Sequence, residues 1–315
     1  MIYWSTTEVV GVNFGDKFIT AARLKGGEGK PLVLTHSGWV PYDPSASETD
    51  IAAALKSLWR SAGFPLRSVC ASLRSASIVM RYFRFPAMPK EELQSALILQ
   101  AEEALQMARP SIVLDWHMDS PAMDGGVASK ARSSWVEGIL VAAPVKDVDR
   151  QLAILSRAGM DPAILDVRAM AVANLFGAVG PRKEESVCLV SLDPHCADVL
   201  VMSKAGQAYP RTVYCRSSTW EETPAFLVEN VRDVLKHSEF KLEWEPVRRV
   251  VLTLLTPVHN GFVDKLREGL GLPVEIWSPL EGLEVKNAKL RQLLQSEPDK
   301  AAMLVPALGL ALRGC

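Results

Sequence analysis

The sequence predicts an α/β protein of two lobes, with a smaller subdomain inserted into the first lobe. Three observations support this fold class. The length of 315 residues exceeds that of one ordinary domain. Hairpin-like patterns occur at Val9–Leu24 and again from Ser186. Between them, residues 77–167 read strand, helix, strand twice over.

The first lobe is predicted from the N-terminal hairpin. Its two apolar runs flank four residues suited to a tight turn, which are Gly11, Asn13, Gly15 and Asp16. The elements expected next are a strand at Leu32–Trp39, a helix capped by Ser47 or Thr49 and ended by Gly63, and a strand at Arg67–Leu73. Three strands, a helix and a strand are the order of an actin-like, or ribonuclease-H-like, lobe.

The insert is predicted to be a ferredoxin-like β-α-β-β-α-β unit. Its elements are Ile78–Phe85, a helix from Pro89 to about Met107, Ile112–Met118, Trp135–Ala143, a helix at Val145–Ala158 and Ala163–Val167, with a turn at Asp124–Gly126. In this topology the helices cover one face of the sheet and leave the other face free.

A short helix, Ala169–Phe176, and a hinge, Gly177–Glu185, lead into the second lobe. The elements expected there are strands at Ser186–Leu192, Asp198–Met202 and Gln207–Val213, a helix at Glu221–Phe240, a strand at Val250–Leu255, a helix at Phe262–Leu270, a strand at Val274–Trp277 and a helix at Met303–Arg313. The predicted domains are therefore residues 1–76 and 168–185 with helix 303–313, the insert 77–167, and the second lobe 186–302.

Composition narrows the functional classes. Hydrophobic residues make up 48% and charged residues 23%, with a formal net charge of −1, which is typical of a folded soluble protein. The sequence has no basic run for nucleic acid. Its five cysteines have no zinc spacing and fit reduced thiols. No apolar stretch approaches a membrane span. We expect a cytoplasmic protein without direct membrane insertion.

Three stretches carry a resemblance to a known family. They are MRYFRFPAMPKEELQSALILQAEE within Ile78–Glu103, AAPVKDVDRQLAILSRAGMDPAILDVRAM within Ala142–Met170, and LVPALGLALRG at Leu304–Gly314. They resemble the PilM proteins of type IV pilus machines. The resemblance implies an FtsA-type actin-like fold. It also implies a cytosolic protein, peripheral to the inner membrane, that holds the cytoplasmic tail of the bitopic protein PilN in a groove between the first lobe and the insert.

Members of this family commonly carry three nucleotide motifs, and this sequence departs from each. The first motif, Gly-Ile-Asp-Ile-Gly followed by hydroxyl residues, aligns with Gly11–Gly15 and Asp16. Asn13 replaces its metal-directing carboxylate. Asp16 places an acid where phosphate needs donors, and a carboxylate beside a triphosphate is repulsive.

The second and third motifs depart as well. The second, Asp-Ile-Gly, aligns with Ser191–His195, in which Asp193 is followed by Pro194, a residue without an N–H. The third, a Gly-Gly pair against which adenine lies, aligns with Leu254 and Leu255, then Thr256 and Pro257. Side chains there would fill the space for the base. We expect a degenerate nucleotide site and no bound cofactor.

Other candidate sites have weaker patterns. Asp16 and Asp193 could form a metal-binding pair, but turns favour Asp for local hydrogen bonds, so we expect no metal there. His195 next to Cys196 lacks a third catalytic group. Candidates for contacts to the partner's tail are Arg81, Tyr82 and Arg84, although a solvated strand face is the more common role for each of these residues.

Two hypotheses of different classes follow. In the first, the protein is not an enzyme but a structural adaptor of a type IV pilus or type II secretion-like platform. It binds a PilN-like tail, and an assembly ATPase is a further candidate partner. In the second, it is an actin-like ATPase that binds ATP and magnesium through unorthodox residues.

Overall fold

A computed structural model describes residues 8–27, 30–74, 77–118, 135–180, 185–217, 219–256, 258 and 261–314. The strands are β1 (Val10–Phe14), β2 (Phe18–Gly27), β3 (Lys30–Pro41), β4 (Ser68–Ser72), β5 (Val79–Pro86), β6 (Ile112–Met118), β7 (Trp135–Pro144), β8 (Asp161–Asp166), β9 (Val187–Leu192), β10 (Cys196–Met202), β11 (Ala208–Tyr214), β12 (Val250–Leu254), β13 (Val274–Ile276) and β14 (Glu284–Val285). The helices are α1 (Glu48–Ala62), α2 (Lys90–Leu105), α3 (Val145–Arg157), α4 (Arg168–Val179), α5 (Pro224–Phe240), α6 (Phe262–Leu270), α7 (Ala288–Ser296), α8 (Pro298–Met303) and α9 (Val305–Ala311).

The two large sheets repeat one strand order. The first runs β14-β3-β2-β1-β4-β8 and the second runs β11-β10-β9-β12-β13. In each, an antiparallel meander of three strands is extended by parallel strands on the side of its first strand, and the first sheet has in addition β14 beside β3. This duplicated order is the one that the actin-like class requires, so the predicted α/β, bilobal fold is confirmed.

Helices α4 and α9 form the centre of the molecule. Every residue of α9 is buried, and it packs on α4 and on strands β1 and β2. The backbones approach closely because Gly309 faces Ala171 of α4 and Gly11 of β1 faces Ala307. One hydrophobic cluster extends from α4 and α9 to both sheets, through residues such as Leu34 and Leu200.

The insert differs from the prediction, because its sheet has three strands, in the order β5-β7-β6. The expected fourth strand, Ala163–Val167, lies in β8 and pairs in parallel with β4 of the first sheet. Helix α3 explains this pairing. Its residues Ile154 and Leu155 pack in the first-lobe core with Leu55 of α1, and a strand after a helix returns to the sheet on which that helix packs. The predicted insert 77–167 is therefore wrong after about residue 144.

The second face of the insert sheet is also not free, contrary to expectation. Helix α2 covers one face through Leu93 and Leu97, which pack on Phe83. On the other face Ile139 is 4% exposed and belongs to the central cluster, with Tyr82 packed against it. The sheet is thus enclosed between α2 and the body of the protein.

Two further boundaries need correction. Residues 284–285, predicted in the second lobe, pair as β14 with β3 of the first sheet. The predicted hinge begins too early, because α4 continues through Gly177 to Val179, and Gly180 ends it by donating its N–H to the Phe176 carbonyl at 2.7 Å. Several predicted features lie outside the described residues, namely the turn Asp124–Gly126, most of the hinge after Gly180, Pro257 and Cys315.

Candidate functional site: the cleft between two turns

The candidate site is the cleft where the β1–β2 turn of the first sheet meets the β9–β10 turn of the second. The first turn carries Gly15 and Asp16, and the second carries Asp193 and His195. The Asp16 side chain lies close enough to Asp193 to help raise the pKa of the Asp193 carboxyl group. His195 Nε2 lies 3.6 Å from Asp16 Oδ2. The structure therefore brings together the residues predicted from the first two motifs.

Asn13 has a structural role in this cleft. It is 5% exposed, and its Oδ1 accepts a hydrogen bond from Ser72 Oγ of β4 at 3.0 Å. Ser72 Oγ in turn accepts the backbone N–H of Phe14 at 3.0 Å. The amide that replaces the expected carboxylate therefore helps to join two parallel strands.

The first turn is closed by its own backbone. The Gly15 N–H donates to the Phe18 carbonyl at 3.0 Å, and Tyr42 Oη donates to the Gly15 carbonyl at 2.5 Å. Burial raises the pKa of Tyr42 to about 12, so this hydroxyl keeps its proton. Asp16 Oδ1 accepts a hydrogen bond from Arg74 Nη2 at 3.2 Å. The Gly15 N–H is thus already used within the turn.

The second turn is tied down in the same way. The Asp193 N–H donates to the Cys196 carbonyl at 2.9 Å, and Trp220 Nε1 donates to the Asp193 carbonyl at 2.7 Å. Ser191 is buried in β9, opposite Asp198 of β10 and beside Thr253 of β12. The backbone N–H and carbonyl of Asp193 are therefore both bonded to other groups of the same chain.

Arg168, a residue to which the sequence analysis gave no role, is the main cation of the cleft. Its guanidinium contacts Asp193 Oδ2 through Nη1 and Asp198 Oδ2 through Nε and Nη2, at 3.0 and 2.9 Å. Nη2 also lies 3.0 Å from Cys196 Sγ. A detectable signal existed in the sequence. Arg168 is the first residue of α4, and the positive end of a helix dipole disfavours a cation. A compensating anion close to Arg168 was therefore to be expected.

Asp193 has an unusual protonation equilibrium. Burial raises its pKa to about 7; the Arg168 guanidinium opposes the rise, whereas the charge and hydrogen bond of Asp16 add to it. Two carboxyl groups that share a site cannot both ionise readily.

The third motif lies beside the second turn. Leu255 donates its N–H to the Leu192 carbonyl at 2.9 Å. The Leu254 side chain packs against the second-lobe core and the Leu255 side chain against the central cluster. Both side chains are therefore partly buried in hydrophobic packing.

The predicted partner-contact residues occupy different environments. Tyr82 Oη donates to Glu137 at 2.8 Å, and its ring makes an edge contact with Trp244 of the second lobe. Arg84 forms an ion pair with Glu137 at 2.8 Å. Both side chains thus have partners within the chain, at the junction of insert and second lobe. Only Arg81 among the three is exposed.

A small cavity of about 30 Å³ opens between the first lobe and α3. Its apolar walls include Phe14, Ile51 and Ile154. Gln151 lines it and is 4% exposed, and its Nε2 has no hydrogen-bond partner in the structure. Arg150, also on the cavity wall, donates to the Pro44 carbonyl at 3.3 Å. The cavity therefore combines an apolar lining with an unused donor.

Comparison with known proteins places the chain in a family. The family model described as type IV pilus assembly protein PilM matches residues 11–214. The chain belongs to the PilM family. A solved structure titled PilM-PilN type IV pilus biogenesis complex is similar over 98% of this chain and 99% of that chain, with 20% identity and a TM-score of 0.74. That likeness supports the fold.

Other solved structures match the PilM-family chain less well. The ethanolamine utilization protein EutJ from Carboxydothermus hydrogenoformans is 12% identical, with a TM-score of 0.49 over 99% of this chain and 92% of that one. The cytoplasmic domain of EpsL from Vibrio cholerae is 13% identical, with a TM-score of 0.46 over 93% and 94%. A search of curated proteins returns no match. In the described residues, no helix is both long enough and apolar enough to cross a membrane.

Proposed function

We propose that this PilM-family chain is a cytoplasmic, non-enzymatic adaptor of a type IV pilus or related secretion platform. It holds the cytoplasmic tail of a PilN-like membrane protein, and an assembly ATPase is a further candidate partner. Membership of the PilM family supports a role in type IV pilus assembly. The partner is suggested by the similar structure, which is titled as a PilM-PilN complex.

One observation favours an adaptor over an ATPase. The guanidinium of Arg168 binds both Asp193 and Asp198, so a cation of the chain itself compensates the acids beside which a metal-bound nucleotide would lie. The cleft contains a further acid, Asp16, which is paired with Arg74 through Oδ1 but has no hydrogen bond at Oδ2. These groups fit a triphosphate poorly, because like charges at short range repel.

The adaptor proposal predicts that nucleotide does not stabilise the protein. ATP with magnesium should leave the melting temperature unchanged, whereas a ligand at a hundred times its dissociation constant would stabilise the native state by about 2.7 kcal/mol. Differential scanning fluorimetry with and without ATP and magnesium measures this. A reproducible increase that disappears in Asp16→Ala would instead support the ATPase hypothesis.

The cavity between the first lobe and α3 is the proposed anchor point for the partner's tail. A peptide carbonyl or carboxylate there would accept from Gln151 Nε2, which now has no acceptor. The tail thereby satisfies a buried donor, which otherwise costs about 1–3 kcal/mol.

Gln151→Met tests this anchor by separating stability from binding. The variant keeps the side-chain shape and removes an unsatisfied donor, so its stability should stay equal or rise by about 1 kcal/mol. Its affinity for the synthetic tail of the PilN-like protein from the same organism should fall by about tenfold, measured by fluorescence anisotropy. The matched control is Gln100→Met on α2, whose Oε1 is also buried without a partner but lies outside the cavity. Equal tail affinity in both variants would place the anchor elsewhere.

A further inference from the structure

Asp16 and Asp193 approach each other from turns of the two different sheets, and one oxygen of the Asp16 carboxyl group has no hydrogen-bond donor. Asp16 lies in the turn after β1, and Asp193 lies in the turn after β9. Asp16 Oδ1 is bound by Arg74, but Asp16 Oδ2 is shielded from solvent and receives no hydrogen bond. On the opposite turn, His195 Nε2 is 3.6 Å from Asp16 Oδ2 and beyond hydrogen-bond distance. A proton on the carboxyl pair would supply the missing donor.

The charge balance of the cleft leads to the same conclusion. The titratable and charged groups that face the pair are Arg74, Tyr42, His195, Arg168, Cys196 and Asp198. Tyr42 and Cys196 are neutral because burial raises the pKa of each, to about 12 and about 11. His195 points mainly into solvent, with its side chain 75% exposed. Three carboxyl groups therefore face two guanidinium groups, and one proton restores the balance.

We propose that a single proton shared by Asp16 and Asp193 acts as a latch between the two turns. With the proton present, a carboxyl-carboxylate hydrogen bond holds the turns together. Without it, two carboxylates face each other across the cleft and repel, so the turns separate. This latch does not depend on the adaptor function, because it concerns the opening of the cleft itself.

The direction of the pH effect follows from the pair. Burial raises the Asp193 pKa to about 7, whereas an aspartate in an unfolded chain titrates near about 3.9. Between these values the folded chain binds a proton that the unfolded chain lacks. The latch therefore contributes its full stabilisation at the acidic end of this range, and the contribution is lost as the pH rises through about 7.

Asp16→Asn tests the latch on the full chain. The amide can donate to Asp193 without any titrating proton, so it should hold the turns together at every pH. In the wild type, the melting temperature should fall between about pH 6 and pH 8, and amide exchange of residues 15–18, 193, 195 and 196, corrected for intrinsic rates, should quicken by at least about tenfold. In Asp16→Asn, both quantities should stay flat over this range.

Three further measurements separate the latch from other causes. His195→Gln should retain the wild-type pH profile, and loss of the profile in that variant would assign the titration to the imidazole instead. Asp264→Asn, which removes an exposed carboxylate on α6, should also retain it. In the unmodified protein, the carboxyl ¹³C resonances of labelled aspartate should show a titration near pH 7. Ionisation of both carboxyls below about pH 5 would overturn the proposal.

Discussion

Replacing Arg168 by Met should lower the free energy of unfolding by about 3–5 kcal/mol. The side chain is 19% exposed, and the carboxylates that it contacts, Asp193 and Asp198, are 6% and 8% exposed. Methionine preserves the length of the side chain but leaves two buried acids without a cation. Urea denaturation at about pH 7.5 measures the loss. Acidification should reduce it, because protonation removes the uncompensated charge.

Arg157→Met is the matched control for this experiment. Arg157 also forms an ion pair, with Glu48 at 3.2 Å, but its side chain is 58% exposed. Solvent screens such a pair, so the control should lose no more than about 1 kcal/mol. If Arg168→Met were as mild as the control, the guanidinium would not be the group that compensates the acids of the cleft.

Local elements of this fold were predictable because their signals are local. Helix α1 begins after Ser47, whose hydroxyl accepts the Asp50 N–H, and ends at Gly63 in the left-handed conformation. Helix α5 was predicted three residues too early, since Trp220–Glu222 forms a 3₁₀ turn and Pro224 starts the helix proper. Elements α7, α8 and β14 were missed: α8 and β14 are too short to show periodicity, and α7 buries Leu294 alone.

The pairing of strands could not be predicted with equal success. The pattern of residues 77–167 is the same whether β8 joins the insert or the first sheet. The choice depends on α3, whose Ile154 packs with Leu55 of α1, a contact between distant parts of the chain. Sequence motifs located the two turns of the cleft through Asp16 and Asp193. They did not reveal Arg168, because its partners lie 25 and 30 residues further along the chain.

The packing of α9 gives the second large expected effect. In Gly309→Ala the added Cβ would lie 1.9 Å from the Ala171 carbonyl oxygen of α4. That atom is backbone, so α4 and α9 must move apart. Alanine is the better helix former by about 1 kcal/mol, yet overpacking typically costs about 1–3 kcal/mol and here involves two backbones. We expect a net loss near the upper end of that range, measured by urea denaturation.

Gly177→Ala provides a control of opposite sign on the partner helix α4. A Cβ at Gly177 meets no atom within 4 Å, and the residue lies inside the helix. Only helix propensity changes there, so this variant should gain about 0.5–1 kcal/mol. The two substitutions are chemically identical and differ only in what faces the new methyl group. Stabilisation by Gly309→Ala would therefore mean that α4 and α9 are not held in backbone contact, and that the centre of the molecule tolerates their separation.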